Sequence, residues 1–156
     1  MDLLYGDANI TFYNKKENNK CILHISAIRP IIENEMNKAA PIFRTILETL
    51  KNQDIRWSVL YDIREGGVPT KRMIDYWVKI FRHLHPIMET HQNATGVLVK
   101  SKEVSDILNK VILLWEPVGE VKFFTDYDSS IEFLRKKNTE LKLPLVTKLK
   151  LKGSKF

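Results

Sequence analysis

The feature that most constrains this chain is the alternation, from Ile55 onward, of short β-forming runs with amphipathic helical stretches. Ile55–Ile63 (Ile-Arg-Trp-Ser-Val-Leu-Tyr-Asp-Ile) is dense in β-branched and aromatic residues, which suits a strand at the centre of a sheet. Gly66-Gly67-Val68-Pro69 then breaks the chain, and Thr70 stands where an N-cap would open a helix. Met73, Ile74, Trp77, Ile80, Phe81 and Leu84 follow at helical spacing, and Pro86 is expected to end that helix. The pattern repeats twice. Ala94–Val99 reads as a strand, and Ser101 as the cap of a helix carrying Val104, Ile107, Leu108, Val111, Leu114 and Trp115. Val121–Phe124 reads as a further strand, with Thr125 and Asp128 as a capping box before a helix through Ile131 and Leu134.

The amino-terminal part has a different period. Residues 9–14 alternate apolar and polar, as do Cys21, Leu23 and Ile25 against His24 and Ser26; Lys15–Lys20 reads as the loop joining them into an antiparallel hairpin. Between the hairpin and Ile55, the residues Met36, Ala39, Phe43, Ile46, Leu47 and Leu50 mark a helix. Pro41 fits the first turn of a helix starting near Asn37; the alternative is a longer, kinked helix starting near Ile31. The order β-β-α-β-α-β-α-β-α implies an α/β fold. It would have a mainly parallel open sheet of about five strands, an antiparallel hairpin at its edge, and about four helices.

Charge and cysteine content narrow the function classes. Of the six net positive charges, four lie in residues 139–156, where five lysines meet one acid. The basicity belongs mainly to this tail, and residues 1–138 form the folded domain, nearly balanced in charge, which weakens a nucleic-acid role for the domain itself. The single Cys21 rules out an intramolecular disulfide and a cysteine-based zinc cluster. Met1–Gly6 has no basic region and only a short apolar run, unlike a signal peptide, and no apolar stretch reaches the ~18 residues of a membrane span. The expected location is the cytoplasm.

Motifs for chemistry are sparse. His83 and His85, two residues apart on a helix, diverge by about 200° and do not share a metal easily; His91 is expected in the following loop. Neither metal nor cofactor is expected. No Gly-x-Ser-x-Gly elbow is present, and Cys21 and His24 fall on opposite faces of their strand. Gly66-Gly67 is neither a P-loop nor a dinucleotide fingerprint and serves a tight turn. Asp62 and Asp126 should end strands at the carboxyl rim of the sheet, with Arg64, Glu65, Thr70, Ser101 and Thr125 around them. Such a rim can bind a small molecule or hold catalytic carboxylates, and it also collects caps and turns in any sheet of this kind. Trp77, Phe81 and Trp115 fall on core-facing stripes, where they are either core or the walls of an apolar pocket.

Four stretches carry a resemblance to the STAS superfamily, in particular its SpoIIAA-like branch, from about Asn9 to Lys136. They are Val59-Leu60-Tyr61-Asp62, the helix centred on Trp77, Thr95-Gly96-Val97-Leu98-Val99, and Val121-Lys122-Phe123-Phe124-Thr125-Asp126 before the Ile131–Leu134 helix. The resemblance implies a regulatory or binding module with no catalytic activity. It would act through protein–protein contacts or through an apolar, lipid-like ligand in the manner of the similarly shaped CRAL-TRIO domains. In phosphorylated members of the superfamily a serine opens the helix after the central strand; here Arg64–Thr70 offers only Thr70, with Lys71 and Arg72 beside it. Phosphorylation of Thr70 is thus one reading, and a plain N-cap the simpler one. The alternative class is a small enzyme using Asp62 and Asp126 on a small molecule.

The tail, Leu141-Lys142-Leu143-Pro144-Leu145 and Lys148-Leu149-Lys150-Leu151-Lys152, alternates apolar and basic residues. It suits an edge strand, pairing in a homodimer, contact with an anionic membrane or nucleic acid, or a solvated extension.

Overall fold

A computed structural model describes residues 1–17 and 20–140. Its elements are β1 (Asp2–Gly6), β2 (Ile10–Glu17), β3 (Lys20–Ala27), α1 (Glu33–Asn52), β4 (Arg56–Asp62), α2 (Lys71–His91), β5 (Gln92–Leu98), α3 (Lys102–Trp115), β6 (Glu120–Phe124) and α4 (Tyr127–Thr139). The six strands form one sheet in the order β1-β2-β3-β4-β5-β6. The first two pairings are antiparallel and the last three parallel, so the mixed α/β sheet with its hairpin edge is as expected, with one more strand. Because strand order follows chain order without reversal, crossovers of one hand place α1, α2 and α3 on a single face. The helix after the last strand, α4, covers the other face against β3, β4 and β5.

Four expectations from sequence are corrected. Lys15, Lys16 and Glu17 are strand and not loop: β2 runs through Glu17, and Lys20 opens β3 opposite it. The first helix starts at Glu33 and contains Pro41 in its interior. Its start is fixed by Glu35, whose Oε1 accepts from the Ile32 N–H at 3.0 Å and from Asn9 Nδ2 at 3.0 Å while Oε2 pairs with Arg29 at 2.8 Å. Pro86 does not end α2, which continues to His91. A proline inside a helix costs about 3 kcal/mol; burial of Ile87 and Met88 beyond Pro86, and of Phe43, Leu47 and Leu50 beyond Pro41, offsets it. The cap of α4 is Asp126 and not Thr125, since Asp126 Oδ2 accepts from the Ser129 N–H at 2.9 Å.

The core divides with the sheet. On the α1 side, Ile10, Phe12, Leu23, Trp57 and Val59 pack against Phe43, Leu47 and Leu84. On the α4 side, Ile22, Leu60, Ala94 and Leu98 pack against Ile131 and Leu134. Gly119 makes the turn into β6 at φ 76°, and a Cβ there would overlap the Asn93 carbonyl oxygen, so only glycine fits. No helix among the described residues is long and apolar enough to cross a membrane. The expectations for the basic tail beyond Glu140 lie outside the described residues.

Candidate functional site

The residues expected at a site fall into two groups that the fold keeps apart. Trp77, Phe81 and Trp115 come together; the polar rim residues do not join them.

Ile74, Trp77, Val78 and Phe81 lie at i, i+3, i+4 and i+7 on α2, so they share one face. Leu108, Val111 and Trp115 do the same on α3. Beneath them, β4 contributes Tyr61 and, just past its end, Ile63; β5 contributes Val97 and β6 contributes Phe123. These side chains enclose an apolar cleft of about 100 Å³. A void of about 50 Å³ lies beyond Tyr61 and Phe81 toward α1, and a second cleft of about 90 Å³, under Val68 and Pro69, shares Ile31, Ile63 and Trp77 with the first. The cleft lies where α3 leans on α2, while Val104 and Leu108 of α3 pack with Val97, Val121 and Phe123 of the sheet. Phe81 and Trp115 stack at 4.6 Å between centroids and 19° between planes, and Tyr61 meets both rings edge-on at 5.5 and 6.3 Å. Two further contacts clamp the end of α3 to α2: Arg82 Nε donates to the Leu114 carbonyl at 2.8 Å, and His85 Nδ1 to that of Glu116 at 3.1 Å. A rigid aromatic clamp thus holds the cavity open from its sides.

Two polar atoms in these walls lack a partner. Trp77 Nε1 is withdrawn from solvent and has no hydrogen-bond acceptor. The Tyr61 hydroxyl makes no hydrogen bond among the described residues, and burial holds its phenol above the ordinary value. Sequence reasoning missed Tyr61 as a wall residue, although strand parity contains the signal. Trp57, Val59, Tyr61 and Ile63 alternate onto the face that α1, α2 and α3 cover.

The polar residues are occupied locally. Arg64 donates to Asp62 through Nε at 3.0 Å and Nη2 at 2.8 Å, a bidentate pair. Asp126 caps α4, and its hydrogen bonds from the Ser129 hydroxyl and N–H hold its carboxyl below the usual range. Thr70 caps α2 by accepting from the Met73 N–H at 3.2 Å, and Arg72 beside it pairs with Glu33 at 2.9 Å. Ser101 occupies the N-cap position of α3, extended and exposed, without a side-chain cap. Thr70 borders only the second cleft, and Asp62, Arg64, Ser101 and Asp126 line neither.

The histidines are tied to different elements. His83 accepts from Arg44 Nη1 at 2.8 Å, His85 reaches Glu116, and His91 ends α2 instead of lying in a loop, 2.8 Å from Asp54. Among the described residues no three His, Cys, Asp or Glu side chains gather as a metal site. Burial pushes the Cys21 thiol up to about 12, so it stays protonated and behaves as a small core hydrophobe.

Fold and site together define an α/β domain with an apolar cavity beneath its crossover helices. A solved structure with a SpoIIAA-like fold, an uncharacterized protein of the DUF3478 family from Shewanella loihica, superposes with a TM-score of 0.58. The match covers 81% of this chain and 93% of that one at 15% sequence identity, a likeness of fold alone. No protein-family model matches the chain, and no curated protein resembles it significantly.

Proposed function

We propose that this chain is a binding module without catalytic activity that takes up an apolar small molecule in the cavity between α2, α3 and the sheet. The observation that carries the reading is the cavity itself, an aromatic-walled, almost wholly apolar space between α2, α3 and the sheet. Apolar cavities of about 150 Å³ accept a benzene-sized molecule, and this cleft of about 100 Å³ shares Ile31, Ile63 and Trp77 with the one under Val68 and Pro69. The neighbouring carboxylates support a binding role over a catalytic one, because Asp62 is engaged by Arg64 and Asp126 by the end of α4.

Mass spectrometry of freshly purified full-length chain, under native and denaturing conditions, tests the reading. The expected result is an excess native mass that disappears on denaturation and extracts into organic solvent. A native mass equal to the bare chain, unchanged after incubation with a panel of apolar molecules, would remove the reading.

A further inference from the structure

The cavity walls contain the two unpartnered donors described above, the Tyr61 hydroxyl and Trp77 Nε1, and offer them no acceptor. A donor with no protein acceptor in an apolar wall is unfavourable, and phenylalanine in place of Tyr61 would fill similar space with no donor to satisfy. The same walls hold no arginine, lysine or histidine, so an anionic head would enter without a countercharge, at a desolvation cost that the cavity does nothing to offset.

We infer that the ligand is a neutral apolar molecule carrying a hydrogen-bond acceptor of the carbonyl type, with the Tyr61 hydroxyl as its anchor. The inference rests on the apolar-cavity reading and narrows it from any hydrophobe to a ketone, aldehyde, ester or amide with an apolar body. Tyr61 suits the anchoring role because its ring is fixed edge-on against both Phe81 and Trp115, which leaves the hydroxyl little freedom to lose on binding. Burial keeps the phenol protonated across the physiological range, so it donates rather than accepts.

The test uses three ring compounds of similar size, namely ethylbenzene, acetophenone and benzoate, titrated into full-length protein and followed by proton–nitrogen correlation NMR. Wild type should bind ethylbenzene and acetophenone but not benzoate. Tyr61→Phe should weaken acetophenone about fivefold to tenfold, the worth of one neutral hydrogen bond, and leave ethylbenzene unchanged. The spectrum of the unliganded variant reports that it is folded. Equal weakening of both compounds, or no change in either, would overturn the anchoring role while leaving the cavity as a binding site. Benzoate binding as tightly as acetophenone would overturn the neutral-ligand assignment. Failure of wild type to bind either neutral compound would instead remove the cavity reading, and this inference with it.

Discussion

The two faces of the sheet solve the same covering problem in different ways. A single helix, α4, lies tightly on one face; three helices share the other and leave space beneath them. On the α4 face, Gly96 of β5 lets Leu134 approach so closely that a Cβ there would meet Leu134 Cδ1 and Leu60 Cδ1 at 3.3 Å each. A buried polar cluster fixes the end of α4. Asn138 Oδ1 accepts from Ser58 Oγ at 2.7 Å and Asn93 Nδ2 at 2.9 Å, while its Nδ2 donates to the Cys21 carbonyl at 3.1 Å. On the opposite face, Tyr61 and Trp77 keep donors unpaired beside a void. Close packing, with polar groups paired around Asn138 and only His24 Nε2 left without a partner, marks the face that stabilises the domain. Apolar walls and empty space mark the face available for a ligand.

If that contrast is right, truncation should be costly on one face and additional bulk tolerated on the other. The largest effect is expected for Leu134→Ala, which removes a fully buried side chain from a surround with little room to relax and should cost about 4 kcal/mol in chemical denaturation. A loss below about 1 kcal/mol would show that the α4 face is no better packed than its opposite.

Next comes acid sensitivity, which also belongs to the α4 face. His24 is buried beside Tyr127, its Nε2 has no partner, and burial lowers its pKa to about 4, with Lys15 adding to the shift and Asp62 opposing it. The unfolded chain binds this proton from about pH 6.5 downward and the folded chain does so only near 4. The stability tied to a neutral His24 is therefore complete above pH 6.5 and lost as pH falls toward 4, to the extent of roughly 3 kcal/mol. In denaturation curves between pH 6.5 and 4, wild type should lose roughly 3 kcal/mol relative to His24→Leu, the variant lacking this component of the slope. Parallel curves would assign the acid response elsewhere.

Much of the fold could be read from sequence, and the unreadable part has a physical cause. Local periodicity revealed the strands from Ile10 onward, the parallel arrangement and the aromatic stripe of Trp77, Phe81 and Trp115, because those signals lie within one or two turns of chain. It did not reveal β1, a short edge strand whose Leu3 and Leu4 remain exposed, nor the helices running through Pro41 and Pro86, whose continuation depends on burial by distant elements. Asn138 was invisible as a core residue because its partners lie 45 to 117 positions away. Tyr61 carried the right parity for the cavity wall, but whether that face is packed core or open space depends on how α2 and α3 settle over it.

The smallest stability effect belongs to the most direct test. Val111→Phe adds a ring to the α3 wall of the cavity, and filling an existing void should change stability by about 1 kcal/mol or less in either direction. Binding of ethylbenzene, followed by NMR titration of wild type and this variant at equal concentration, should be clear in wild type and absent in the variant while the folded spectrum persists. Undiminished binding in a folded Val111→Phe protein would contradict the claim that the space between α2, α3 and the sheet is the ligand site.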